Sequence, residues 1–188
     1  MSARTGLLKA LDSILGPALC AALSRAQRAP EARTLRDFPG GRVLVVRPGG
    51  IGDAVLLLPA LRALRRAAPD SPVDVLCESR NAPVLELSGL ADRVLRADAA
   101  PLATLRALRP GRYAAVLDTE QFHRFSAVLA ARTRAPLRVG FNVAPARRGI
   151  YTHAVHYDLQ GPEDVQFGRI LAAALGAPAV ALPPREES

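Results

Sequence analysis

The sequence predicts an α/β fold built on a doubly wound, mainly parallel sheet, and three observations carry that prediction. Apolar runs such as RVLVVR (Arg42 to Arg47) are too continuous for a sheet with one wet face. Such runs suit strands covered on both sides, as in parallel sheets. Amphipathic stretches of helical period alternate with them, and turns rich in Gly and Pro lie between. This alternation calls for right-handed crossovers and for ligands bound beyond the carboxyl ends of the strands. Hydrophobic residues form 49% of the 188 positions, enough for one buried core.

Ahead of the sheet, GLLKALDSILGPALCAALSRAQR places Leu7, Leu8, Leu11, Ile14 and Leu15 at helical spacing, with Leu19 and Leu23 continuing the apolar face past Pro17. Lys9 and Asp12 interrupt the run, which falls short of the ~20 apolar residues of a membrane span and makes a poor signal peptide. Two readings stand for residues 7–28: peripheral contact with the inner membrane surface, aided by Arg25, Arg28, Arg33 and Arg36, or an arm packed on its own domain or a partner. RAPEARTLRDFPGG then reads as a linker, so residues 1–40 form an arm and linker, 41–177 the domain and 178–188 a tail or interdomain linker.

Within the domain the expected order is strand Arg42–Arg47, glycine turn, helix Asp53–Ala67, strand Pro72–Cys77, helix Ala82–Leu87 and strand Arg93–Arg96. There follow helix Pro101–Leu108, strand Tyr113–Asp118, helix Phe122–Arg132, strand Leu137–Phe141, a short strand near Thr152–Tyr157 and helix Glu163–Leu175.

The formal charge of +8 rests almost wholly on Arg, since Lys9 is the one lysine. Arg presents a planar fork of donors to phosphate and carboxylate, so an anionic partner is one reading and GC-rich coding DNA the other. Aromatics at 4% and no Trp argue against a stacking surface for single-stranded nucleic acid, and no nucleic-acid partner is expected. Cys20 and Cys77 share no motif spacing, which suits reduced thiols in the cytoplasm. His153 and His156, an odd number of residues apart, point to opposite faces of a strand, so no metal site is expected.

RPGGIGDAVLLLPALRALRR holds the most chemistry. Gly49, Gly50 and Gly52 allow a sharp turn and close approach to a ligand. Asp53 is placed at the helix N-cap, and three roles compete for it. It caps the helix, contributing about 0.5–2 kcal/mol. It belongs to a dinucleotide cradle, a reading weakened by the Gly spacing and by its own charge. Or it is a general base facing the cleft. Asp118 and Glu120 end the fourth strand, with His123, Arg124 and Ser126 behind them. Arg124 is a basic side chain that either meets an anion or is solvated, and Arg147 with Arg148 is either an anion clamp or a solvated pair.

Together VLVVRPGGIGDAVLLLPALRALRRAAPDSPVDVLC, DTEQFHRFSAVLA, APLRVGF and GPEDVQFGRILAAALG resemble family 9 glycosyltransferases, the ADP-heptose:lipopolysaccharide heptosyltransferase group, over residues 41 to 177. The resemblance implies the N-terminal, Rossmann-like half of a GT-B fold. It implies a cell-envelope enzyme of lipopolysaccharide biosynthesis that transfers a sugar with inversion and needs no metal or other cofactor. The nucleotide-sugar donor, ADP-heptose or a similar compound, would lie on a second domain or a separate chain. This half would bind an anionic lipid-linked glycan at the cytoplasmic face of the inner membrane. Asp53 matches the family's proposed base, and Gly50, Gly52, Arg62, Arg124 and Arg147, with Arg66, are the candidate acceptor contacts. Two rivals remain: a non-catalytic glycan- or partner-binding module, and a nucleotide-binding regulator using the glycine turn.

Overall fold

A computed structural model of the protein describes residues 20–22, 33–143, 147 and 149–177. Most of the anticipated N-terminal helix and the tail from 178 lie outside the described residues, as does Arg148. The elements are β1 (Val43–Arg47), α1 (Ile51–Ala67), β2 (Val73–Cys77), α2 (Ala82–Leu87), β3 (Arg93–Arg96), α3 (Pro101–Ala107), β4 (Ala115–Asp118), α4 (Arg124–Arg132), β5 (Leu137–Phe141), β6 (His153–Val155) and α5 (Glu163–Leu175). The six strands form one sheet in the order β3-β2-β1-β4-β5-β6. Every pairing is parallel.

The strand pattern explains the layers. On β1, Val43 and Val45 join the core beneath α1, α2 and α5, whereas Leu44 and Val46 join a second core with Ala127, Ala130 and Leu108. A period of two thus feeds both faces, and all five β1 residues are buried, Arg47 included. The chain order reverses between β1 and β4, the place in such sheets where ligand sites form.

Three boundaries differ from the sequence reading in ways that matter to the site. Helix α1 begins at Ile51 with Gly50 as its N-cap, so Asp53 stands in the first turn rather than at the cap. Gly50 offers no side-chain cap bond, and the Asp53 carboxylate lies in the first turn, where the helix dipole favours negative charge. Helix α4 begins at Arg124 rather than Phe122, because Glu120 takes up the backbone N–H groups of Phe122 and His123 in a tight loop. Strand β6 ends at Val155, which leaves His156 beyond it. The N-terminal arm enters the described structure only as residues 20–22, where helical Cys20 is buried against α4. Among the described residues no helix is long and apolar enough to cross a membrane.

Candidate active site at the carboxyl edge of the sheet

Two buried arginines build this edge. Arg47, the last residue of β1, is 2% exposed and directs its guanidinium toward the loop after β4. Its Nη1 donates to the Thr119 carbonyl at 2.7 Å and to Gln121 Oε1 at 3.2 Å. Its Nη2 donates to Asp53 Oδ2 at 2.8 Å and lies 3.5 Å from Glu120 Oε2. The Phe167 ring of α5 covers it at 5.4 Å, and its carbonyl accepts Asn81 Nδ2 at 3.0 Å. One guanidinium therefore ties together β1, the start of α1, the β4–α4 loop and α5. A buried charge is tolerated only with such partners.

Arg147 is enclosed completely. Its Nη2 reaches Asp118 Oδ2 at 3.2 Å, the Glu120 carbonyl at 2.6 Å and the Tyr151 hydroxyl at 2.7 Å, while Nη1 donates to the Gln121 carbonyl at 2.6 Å. Tyr151 in turn donates to Asp118 Oδ2 at 2.6 Å, and the Glu120 N–H donates to Asp118 Oδ1 at 3.1 Å. Burial raises the Asp118 carboxyl above its ordinary range, against the pull of Arg147 and of the hydrogen bonds it accepts. Burial and the neighbouring Asp118 push the Tyr151 hydroxyl far above 10, so it remains a donor. The ring fits because the facing residue of β5 is Gly140: a Cβ there would overlap Tyr151.

The loop 118–121 is thus held from below by Arg147 and supplies acceptors to Arg47 above. Arg47 in turn fixes Asp53, whose side chain is 38% exposed. Gly49, at φ +118°, occupies backbone space closed to most L side chains, and that conformation leads the chain from β1 into the helix start. A Cβ on Gly50 would come within 3.1 Å of Asp53 Oδ2, whereas one on Gly52 would meet nothing within 4 Å. The edge beside Gly52 is open.

The expected site residues divide. Gly50, Gly52 and Asp53 gather at the helix start, and Arg124 occupies the first position of α4 beside the loop. Arg62 does not join them: nine residues beyond Asp53 on α1, it lies about 14 Å farther along the axis, toward the opposite edge. Arg66 lies farther still. Arg147 is neither an exposed clamp nor a solvated charge, because Asp118, 29 residues earlier, draws it inside. Arg47 is not among the residues that the sequence reading singles out, and Glu120 appears there only as an end of the fourth strand, with no role. The signal for Arg47 was available: an Arg closing a strand covered on both faces demands a buried counter-charge. Among the described residues no group of three or more His, Cys, Asp or Glu is placed to hold a metal ion.

No protein-family model matches the chain, nor does any curated protein sequence. Solved structures do. The E. coli heptosyltransferase WaaC with ADP is 25% identical at a TM-score of 0.63, covering 78% of this chain and 49% of its own. A family 9 glycosyl transferase from Veillonella parvula is 20% identical at 0.60, covering 71% and 41%. The E. coli ADP-heptose lipopolysaccharide heptosyltransferase II is 19% identical at 0.55, covering 77% and 47%. The chain therefore spans less than half the length of each of these three proteins, and over that span its α/β Rossmann-like fold matches glycosyltransferases of family 9, the family its motifs resemble.

Proposed function

We propose that this chain forms the acceptor-side half of a family 9 glycosyltransferase and that Asp53 is its general base. The observation that carries the reading is the Arg47–Asp53 pair. A guanidinium buried in the core holds one carboxylate oxygen at 2.8 Å, and the carboxylate is 38% exposed at the switch point of the sheet. A base needs this combination of a fixed position and an open face.

In the reaction an acceptor hydroxyl oxygen attacks the anomeric carbon of a nucleotide sugar as its proton passes to Asp53. The bond from that carbon to the diphosphate oxygen breaks on the opposite face, so configuration inverts. Arg47 positions the base, with Glu120 as its buried counter-charge. Gly50 and Gly52 leave room for the acceptor, and Arg124 is the proposed contact for an acceptor phosphate. The donor, an ADP-heptose-type sugar, would be held by a second domain or chain, and no metal is required. The acceptor would be a lipid-linked glycan at the cytoplasmic face of the inner membrane, with peripheral contact through residues 7–28 as part of the same proposal.

The test pairs binding with turnover. Deacylated lipopolysaccharide core is titrated into the wild type and Asp53→Asn, and transfer from ADP-heptose is assayed for both. Core binding by both proteins, with any transfer confined to the wild type, is the expected result. A wild type that binds no core, or an Asp53→Asn variant with full transfer, overturns the reading. The second reading is a glycan-binding module without catalysis. Binding without transfer selects it.

A further inference from the structure

The loop between β4 and α4 turns an aromatic ring outward on a backbone that cannot easily move. Phe122 is 55% exposed. Its amide donates to Glu120 Oε1 at 2.9 Å, and the next amide, of His123, reaches the same oxygen at 3.3 Å. The residue before it is held twice, Gln121 Oε1 by Arg47 and its carbonyl by Arg147. The ring meets Tyr157 edge-to-face, with centroids 6.0 Å apart, and Tyr157 rests on Phe141 at 5.0 Å. The Tyr157 hydroxyl is anchored to Glu163 at 2.7 Å. Single exposed aromatics are ordinary on protein surfaces. Phe122 differs in being braced on both the backbone and the ring, which makes its open surface a preorganised contact.

The same frame reaches Asp53. Glu120 accepts the Phe122 amide through one oxygen, and its other oxygen faces the Arg47 nitrogen that holds Asp53. An open aromatic surface and a half-open carboxylate are thus fixed to one carboxylate–guanidinium pair. A pyranose ring has complementary parts: a face of C–H groups that packs on an aromatic ring, and a rim of hydroxyls that donate to carboxylates. Ligand sites combine apolar surface with a few placed polar groups in this way.

We propose that Phe122 is a stacking platform for a pyranose ring of the acceptor, which sets that sugar with a hydroxyl toward Asp53. The proposal rests on the acceptor-side reading given above.

The experiment titrates deacylated lipopolysaccharide core into the wild type, Phe122→Ala, Phe122→Trp and Leu102→Ala by calorimetry. Aromatic NMR resonances and sedimentation are recorded alongside. Leu102, 71% exposed on α3, controls for trimming surface apolar area. Loss of a stacked ring should weaken binding about tenfold in Phe122→Ala, while Phe122→Trp and Leu102→Ala stay within about threefold of the wild type. Core binding unchanged in Phe122→Ala overturns the platform and leaves the acceptor reading standing. A wild type that binds no core removes both. Perturbation of the Phe122 ring only on self-association would assign the surface to a second copy of the chain and overturn the proposal.

Discussion

Arg47 and Arg147 are buried to nearly the same degree, yet they do different work. Asp118, Glu120, Gln121, Ser126 and Tyr151, which Arg147 contacts, are all themselves buried, so its guanidinium joins interior to interior. Arg47 has buried partners on one nitrogen, while its other nitrogen faces buried Glu120 and the half-exposed Asp53. The first residue supports a loop. The second transmits the rigidity of that loop to a group that meets solvent. A buried arginine is therefore not by itself a mark of function; the exposure of what it holds decides the matter.

Substitutions should separate the two roles, beginning with the largest effect. Arg147→Met leaves buried Asp118 without its cation, and breaking a buried pair in this way typically costs about 3–5 kcal/mol. Denaturant unfolding checks this, and a loss under about 1 kcal/mol would mean that Arg147 is not the support described. Arg47→Met should cost less, about 2 kcal/mol, because Glu120 keeps two backbone N–H partners when the guanidinium is gone. Arg47→Lys should recover part of that stability but little of the positioning, since an ammonium cannot reproduce the two-nitrogen fork.

Asp53→Asn sharpens the contrast from the exposed end. Its pair is open to solvent on one side, so its contribution to stability is under about 1 kcal/mol. A large drop in unfolding free energy would make Asp53 a structural residue instead. The smallest effect concerns Cys77, which stands across from Arg47 in the β1–β2 register. Burial pushes its thiol up to about 12 from an ordinary 9.0, against the pull of Arg96. The raised value favours the neutral thiol in the folded state. The associated stabilisation is present below about pH 9 and fades as pH rises toward 12. In a Cys20→Ala background, a thiol reagent at pH 8 should label Cys77 only after denaturation.

Much of this architecture was legible from periodicity. Helix Ala82–Leu87, strand Arg93–Arg96, strand Leu137–Phe141 and helix Glu163–Leu175 occur with the bounds their patterns predict, because apolar spacing and Pro or Gly punctuation mark them locally. The site was legible only where it is local. Gly50, Gly52 and Asp53 are near neighbours in the chain, and their gathering follows from one turn. The burial of Arg147 is not legible locally, because a basic residue between Pro and Gly looks solvated until its carboxylate partner arrives from β4. Arg62 lies apart from the others for a geometric reason: a helix carries later residues away from the edge where it starts. The cap falls three residues before Asp53 because Gly50 can enter the helix without a side-chain bond.

The wiring of Arg47 also has a consequence for how the molecule assembles. Its acceptors on Thr119 and Gln121 come 72 and 74 residues later in the chain. The β1–α1–β2 unit is synthesised long before they exist, and sealing that guanidinium early would strand a charge in apolar surroundings. Closure of the core over β1 must therefore wait for β4, and loops of that length close slowly. The guanidinium that holds Asp53 thus cannot be sealed until the strand that leads to its acceptors has docked.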